Sequence, residues 1–105
     1  MKLREGLKVQ IKRETKKGLK ECLAYYFECN GIQYGFIEDK LDSRFYAIHL
    51  DTGMSACEVE NDTSQKKGFE LLKEKVKQIP VQDLKKVLPK VKKDMQAKGY
   101  DFPLN

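Results

Sequence analysis

The sequence predicts an α+β fold in a single domain: a five-stranded antiparallel meander over 7–60, two amphipathic helices over 63–98 packed on one face of it, and an apolar tail over 99–105. Three observations carry that expectation. Apolar residues alternate with polar ones up to about residue 60, and after residue 62 they recur at helical spacing instead. Glycine-containing turns separate the alternating runs, Asn30-Gly31 being the strongest of them. Finally, Pro80 and Gly99 stand where the two helical periods stop. A chain of 105 residues is long enough to enclose one real core.

The central hairpin comes from "LAYYFECNGIQYGFIED". Asn and Gly tolerate the positive φ values of a type I′ turn, so pairing outward sets Cys29 opposite Ile32, Phe27 opposite Tyr34 and Tyr25 opposite Phe36. That makes one face apolar. Cys22, Ala24, Tyr26, Glu28 and Gln33 fall on the other, which is expected to be wet. Upstream, Leu7, Val9 and Ile11 alternate with Lys8, Gln10 and Lys12. A three-residue loop, Lys16-Lys17-Gly18, would set Ile11 opposite Leu23, Val9 opposite Tyr25 and Leu7 opposite Phe27, extending the same apolar face. Downstream, "SRFYAIHL" and "MSACEVE" flank Asp51-Thr52-Gly53, and two registers are open. With all three residues in the loop, Leu50 faces Met54 and Ile48 faces Ala56. With Thr52-Gly53 alone, Tyr46, Ile48 and Leu50 share a face with Cys57 and Val59.

For the first helix, Asp62, Thr63 and Ser64 are candidate N-caps, and Phe69, Leu72, Val76 and Ile79 form the buried stripe. Gly68 would let that helix approach the sheet closely. The second helix lines up Val81, Leu84, Leu88, Val91 and Met95. Pro89 lies inside it and removes a backbone donor, which predicts either a kink or two short helices.

Charge is segregated along the chain. Residues 1–20 hold eight Lys/Arg against two acids, residues 21–64 two against nine, and residues 65–99 eleven against four. Basic ends around an acidic middle make the overall charge of +5 a poor guide to partners. No apolar run long enough for a secretion signal or a membrane span is present, and three cysteines without a CxxC pair fit a reducing compartment, so a cytoplasmic protein is expected. The basic helices lack tryptophan and need their apolar stripes inside, so no membrane partner is expected.

Catalysis is not expected. The single histidine, His49, and Asp51 would lie about 6–7 Å apart along a strand, too far for the carboxylate to orient the ring. The simpler reading is an exposed strand histidine beside a turn aspartate. A zinc site needs about four converging N/S ligands, whereas the chain has three cysteines and this one histidine, with Cys22 and Cys29 on opposite faces of a regular strand. No Walker or dinucleotide-binding glycine motif occurs, and neither metal nor cofactor is expected.

The lysines carry the stronger functional signal. Lys86, Lys90 and Lys93 fall on one stripe of the second helix and Lys85 and Lys92 on an adjacent one, a pattern suited to neutralising phosphates. Only three arginines are present, so bidentate reading of guanine edges has little to work with. Exposed rings could serve single strands, but Tyr25, Phe27, Tyr34 and Phe36 share the core face, leaving Tyr26 and Phe45 as the platform. The tail residues Tyr100, Phe102 and Leu104 are candidates for fold-back onto the core or for contact with a partner or a second copy.

The run from Phe45 to Val76 (strand, glycine turn, strand, Thr63 or Ser64, helix) resembles the helix-bearing half of HicB-type antitoxins and of small phage-encoded proteins, over about a third of the chain. The first three strands and the second helix depart from a minimal HicB module. The resemblance implies an accessory or regulatory protein of a mobile element. The expectation is therefore a small non-enzymatic binding protein, acting through a protein partner or a homodimer, with sequence-tolerant nucleic-acid binding through the lysine helices as the alternative.

Overall fold

The hairpin closed by Asn30-Gly31 forms the centre of the sheet. In the computed structural model, which describes residues 4–100, five strands run β1 Lys8–Thr15, β2 Gly18–Cys29, β3 Ile32–Asp39, β4 Arg44–His49 and β5 Ser55–Glu60. Each is antiparallel to the next, in the order β1-β2-β3-β4-β5, and helices α1 Gln65–Lys77 and α2 Val81–Ala97 follow. Asn30 and Gly31 both take positive φ, 53° and 79°, and the register is Cys29↔Ile32, Phe27↔Tyr34, Tyr25↔Phe36, as the turn chemistry dictates.

The face carrying those rings is the main core. Phe27, Tyr34, Phe36 and Phe45 pack with Leu72 and Val76 of α1. The helix comes close because Gly68 has no side chain: a Cβ there would stand 2.3 Å from Cε2 of Phe45. Of the three candidate caps, Ser64 is used, its hydroxyl accepting the Lys67 N–H at 3.2 Å. Phe69 then stacks on Phe36 with 5.0 Å between ring centroids.

The β1–β2 register differs from expectation by one residue. Gly18 is left-handed (φ 97°), but it closes the ladder opposite Thr15, so Ile11 lies opposite Cys22 and Val9 opposite Ala24. A one-residue slip moves a strand's apolar set to the other face. That face, expected to be wet, is a second core: Ile11, Ala24, Tyr26, Ile37, Ile48 and Leu50, flanked by Leu7, Val9, Cys22 and Tyr46. It forms because β2 is shared. Its first half pairs with β1 and only its second half with β3, so the β1–β2 hairpin swings across the back of the sheet. The Glu14 N–H donates to the Gly53 carbonyl at 2.8 Å, tying β1 to the β4–β5 turn. At the crossing, Gly35 leaves room for Ala24, whose Cβ would otherwise stand 2.8 Å away.

Away from the turn β4–β5 keeps the register expected for the three-residue loop, with Ala47 opposite Cys57 and Phe45 opposite Val59, and it shifts by one residue only beside the loop. The His49 N–H donates to the Met54 carbonyl and the Gly53 N–H to the His49 carbonyl, both at 2.8 Å, leaving residues 50–53 in the loop. Ile48 pairs with Ser55 and Ala47 with Cys57, so Ala56 is left over as a bulge. The bulge lets Ile48 serve the second core while Cys57 and Val59 serve the first.

α2 is one continuous helix through Pro89, not two short ones. Val81, Leu84 and Leu88 rest half-buried against the main core. At the far end, the Gly99 N–H donates to the Gln96 carbonyl and the Tyr100 N–H to the Met95 carbonyl, a Schellman closure with Gly99 at φ 102°. Tyr100 is then buried, its hydroxyl donating to the Leu50 carbonyl, and Lys98 pairs with Glu14 at 3.6 Å. Phe102 and Leu104 lie outside the described residues. Among the described residues no helix is long and apolar enough to cross a membrane.

Candidate nucleic-acid interface

α2 presents its apolar stripe to the main core, and helical geometry turns the positions between the stripe residues outward. At 100° per residue, Lys86, Lys90 and Lys93 fall on the side opposite Val81, Leu84, Leu88 and Met95. All three are exposed, as is Lys85, while Lys92 is half-buried at the border of the stripe. None of the five takes part in an ion pair or a side-chain hydrogen bond among the described residues. The acids of the helix, Asp83 and Asp94, are exposed as well, so α2 carries five lysines against two carboxylates. The sequence spacing thus brings together Lys86, Lys90 and Lys93, with Lys85 and Lys92 at the flank.

The lysines of α1 have a different environment. Lys73 reaches Glu5 at 3.5 Å and lies over the Phe69 ring, Lys77 reaches Glu74 at 3.1 Å, and the Lys75 ammonium donates to the Glu58 carbonyl of β5 at 2.7 Å. That last bond also caps part of the open edge of β5. These charges stabilise the fold locally and are partly neutralised.

Two of the three arginines are also taken up. Arg13 crosses from β1 to pair with Asp39 at 3.1 Å and lies 4.6 Å from the centre of the Tyr46 ring. Arg44 pairs with Glu58 at 3.3 Å. Sequence reading missed the Arg13 contact, because it depends on the hairpin crossing the sheet.

The remaining candidates resolve into structure. His49 is only 7% exposed, not an exposed strand residue, because the β3–β4 register pairs it with Tyr34 of the main core, with ring centroids 5.1 Å apart. Its Nδ1 has no hydrogen-bond partner among the described residues, so Asp51 acts on it only through space. Burial pushes its pKa below the ordinary histidine value, the Asp51 charge opposing. Burial likewise raises the Cys22 and Cys57 thiols, the opposite of what a nucleophile needs. Cys22 packs in the second core and Cys29 and Cys57 against the first. No group of three or more His, Cys, Asp or Glu side chains converges among the described residues. Tyr26 and Phe45, the rings left over for a stacking platform, are both buried, Tyr26 in the second core and Phe45 under Gly68. Of the tail candidates, Tyr100 is engaged within the chain.

No family model matches this chain, and comparisons with curated proteins and with solved structures likewise return no match, so the resemblance to HicB-type antitoxins has no counterpart there.

Proposed function

We propose that this protein acts by binding rather than by catalysis, and that its ligand is nucleic acid held by its phosphates along the outer face of α2. The observation that carries this reading is the set of exposed lysines, Lys86, Lys90 and Lys93, with no carboxylate partner among the described residues. Ammonium groups left in water release counterions when they meet phosphates, and that release drives sequence-independent affinity. Recognition of sequence is not part of the proposal. Arg13 and Arg44 are committed to Asp39 and Glu58, and lysine meets phosphate as a point charge without the planar fork that reads guanine.

The test is fluorescence anisotropy with random-sequence single- and double-stranded DNA and RNA at roughly 50 and 200 mM salt. The expected result is micromolar or tighter binding at the lower salt that weakens steeply at the higher, with little dependence on sequence. Absence of binding at both would reject the reading and leave the lysines as a solvated face.

A further inference from the structure

β2 and β3 are hydrogen-bonded only from Cys29↔Ile32 to Tyr25↔Phe36. Beyond that pair they part, and a cleft of about 910 Å³ opens between the β1–β2 hairpin and the turn joining β3 to β4. The parting follows from the coiling described above, since the first half of β2 leaves with β1. Its lips have opposite charge. On the hairpin side Lys16, Lys17 and Lys20 are exposed, in no ion pair among the described residues, and outnumber the exposed Glu21; on the turn side Glu38 and Asp42 are exposed and outnumber the exposed Lys40. Each lip also carries a leucine that the fold does not use. Leu23 is 63% exposed, and Leu41, between Lys40 and Asp42 in the turn, is wholly exposed.

We propose that this cleft is a homodimer interface, occupied by the same surface of a second copy of the chain about a two-fold axis. Rotation about an axis through the cleft exchanges its lips, so the basic hairpin of each protomer meets the acidic turn of the other, and the interface is self-complementary as an isologous contact requires. Within one protomer Arg13 and Asp39 already join hairpin to turn in the sense the dimer repeats between copies. A nucleic acid fits this surface poorly, because the acidic lip repels phosphate while the basic lip attracts it. The two leucines supply apolar area that docking removes from water.

A charge swap tests the proposal. One variant carries Lys16→Glu, Lys17→Glu and Lys20→Glu; the other carries Glu38→Lys and Asp42→Lys. Asp39 is retained because its carboxylate pairs with Arg13 and accepts the Leu41 N–H within the turn. Sedimentation equilibrium should find the parent dimeric and each variant alone weakened by about tenfold or more in dissociation constant. Mixing the two variants should restore dimerisation, detected as a mixed dimer by native mass spectrometry, because each altered lip then meets its opposite. Leu41→Asp, at a turn position without packing contacts to lose, should weaken the dimer equally without changing the thermal melt at concentrations low enough for the parent to be monomeric. A parent that stays monomeric at millimolar concentration, a mixture that fails to pair, or a Leu41→Asp protein that dimerises like the parent would each overturn the proposal.

Discussion

The two helices carry five lysines each, yet they differ in both packing and charge. α1 buries Gly68, Leu72 and Val76 in the main core, and three of its lysines are engaged with Glu5, Glu58 and Glu74. α2 buries only Met95, leaves Val87 54% exposed, and engages none of its five lysines among the described residues. A helix held by both its apolar stripe and its charges is a structural element. One that rests half-buried on the core, with its charges left in water, is positioned for something outside the chain, and this contrast is the reason for proposing α2 as the working surface.

The contrast is broken most directly by comparing one leucine in each helix. Leu72→Ala removes a fully buried side chain and should cost about 2–5 kcal/mol by chemical denaturation. Leu88→Ala, at a half-buried position, should cost about 1 kcal/mol or less. Equal costs would mean that α2 is as firmly docked as α1. Loosening the C-terminal anchor of α2 should have the next greatest effect. Tyr100→Phe strips the Leu50 carbonyl of its hydroxyl donor inside the protein, and about 1–3 kcal/mol should be lost. A variant as stable as the parent would show that Met95 and the Gly99 closure suffice.

A pH titration sharpens the account of the face that α1 covers. His49 is held below its ordinary value of 6.5 by burial. As pH falls through 6.5 the unfolded chain takes up this proton before the folded one does, so stability is full above 6.5, falls below it, and levels off once pH passes the folded-state value. His49→Gln should flatten that part of the stability curve; an unchanged slope would assign it to other groups. The smallest effect on stability belongs to the change with the largest effect on binding. Replacing Lys86, Lys90 and Lys93 by Gln should alter the unfolding free energy by no more than about 0.5 kcal/mol, since none of the three has a partner to lose among the described residues.

Much of the architecture was legible because it depends on local chemistry. Asn30-Gly31 has one favourable turn and hence one register, and the change from period two to helical period after residue 62 marks where sheet becomes helix. The β1–β2 register was not legible. Gly18 satisfies the left-handed turn position in either pairing, and the choice is made by Ile48 and Leu50, which offer Ile11 a second core that no local pattern announces. Ala24 and Tyr26 fit either a wet or a covered face, so composition could not reveal that the back of the sheet is enclosed. The bulge at Ala56 was hidden for the same reason: it reconciles two apolar faces where only one was expected. For the candidate site, helical spacing alone brought Lys86, Lys90 and Lys93 together. Which lysines are engaged depends on cross-chain neighbours such as Glu58 and Glu5, far away in sequence.

Contact between the outer face of α2 and phosphates is decided by the salt dependence of duplex DNA binding for the parent and for the Lys86, Lys90 and Lys93 to Gln variant. If each of the three lysines neutralises one phosphate, the slope of log K against log salt should become shallower by about 2.7 in the variant, with affinity lost in proportion at low salt. An unchanged slope and affinity would contradict the claim and move the contact surface off this helix.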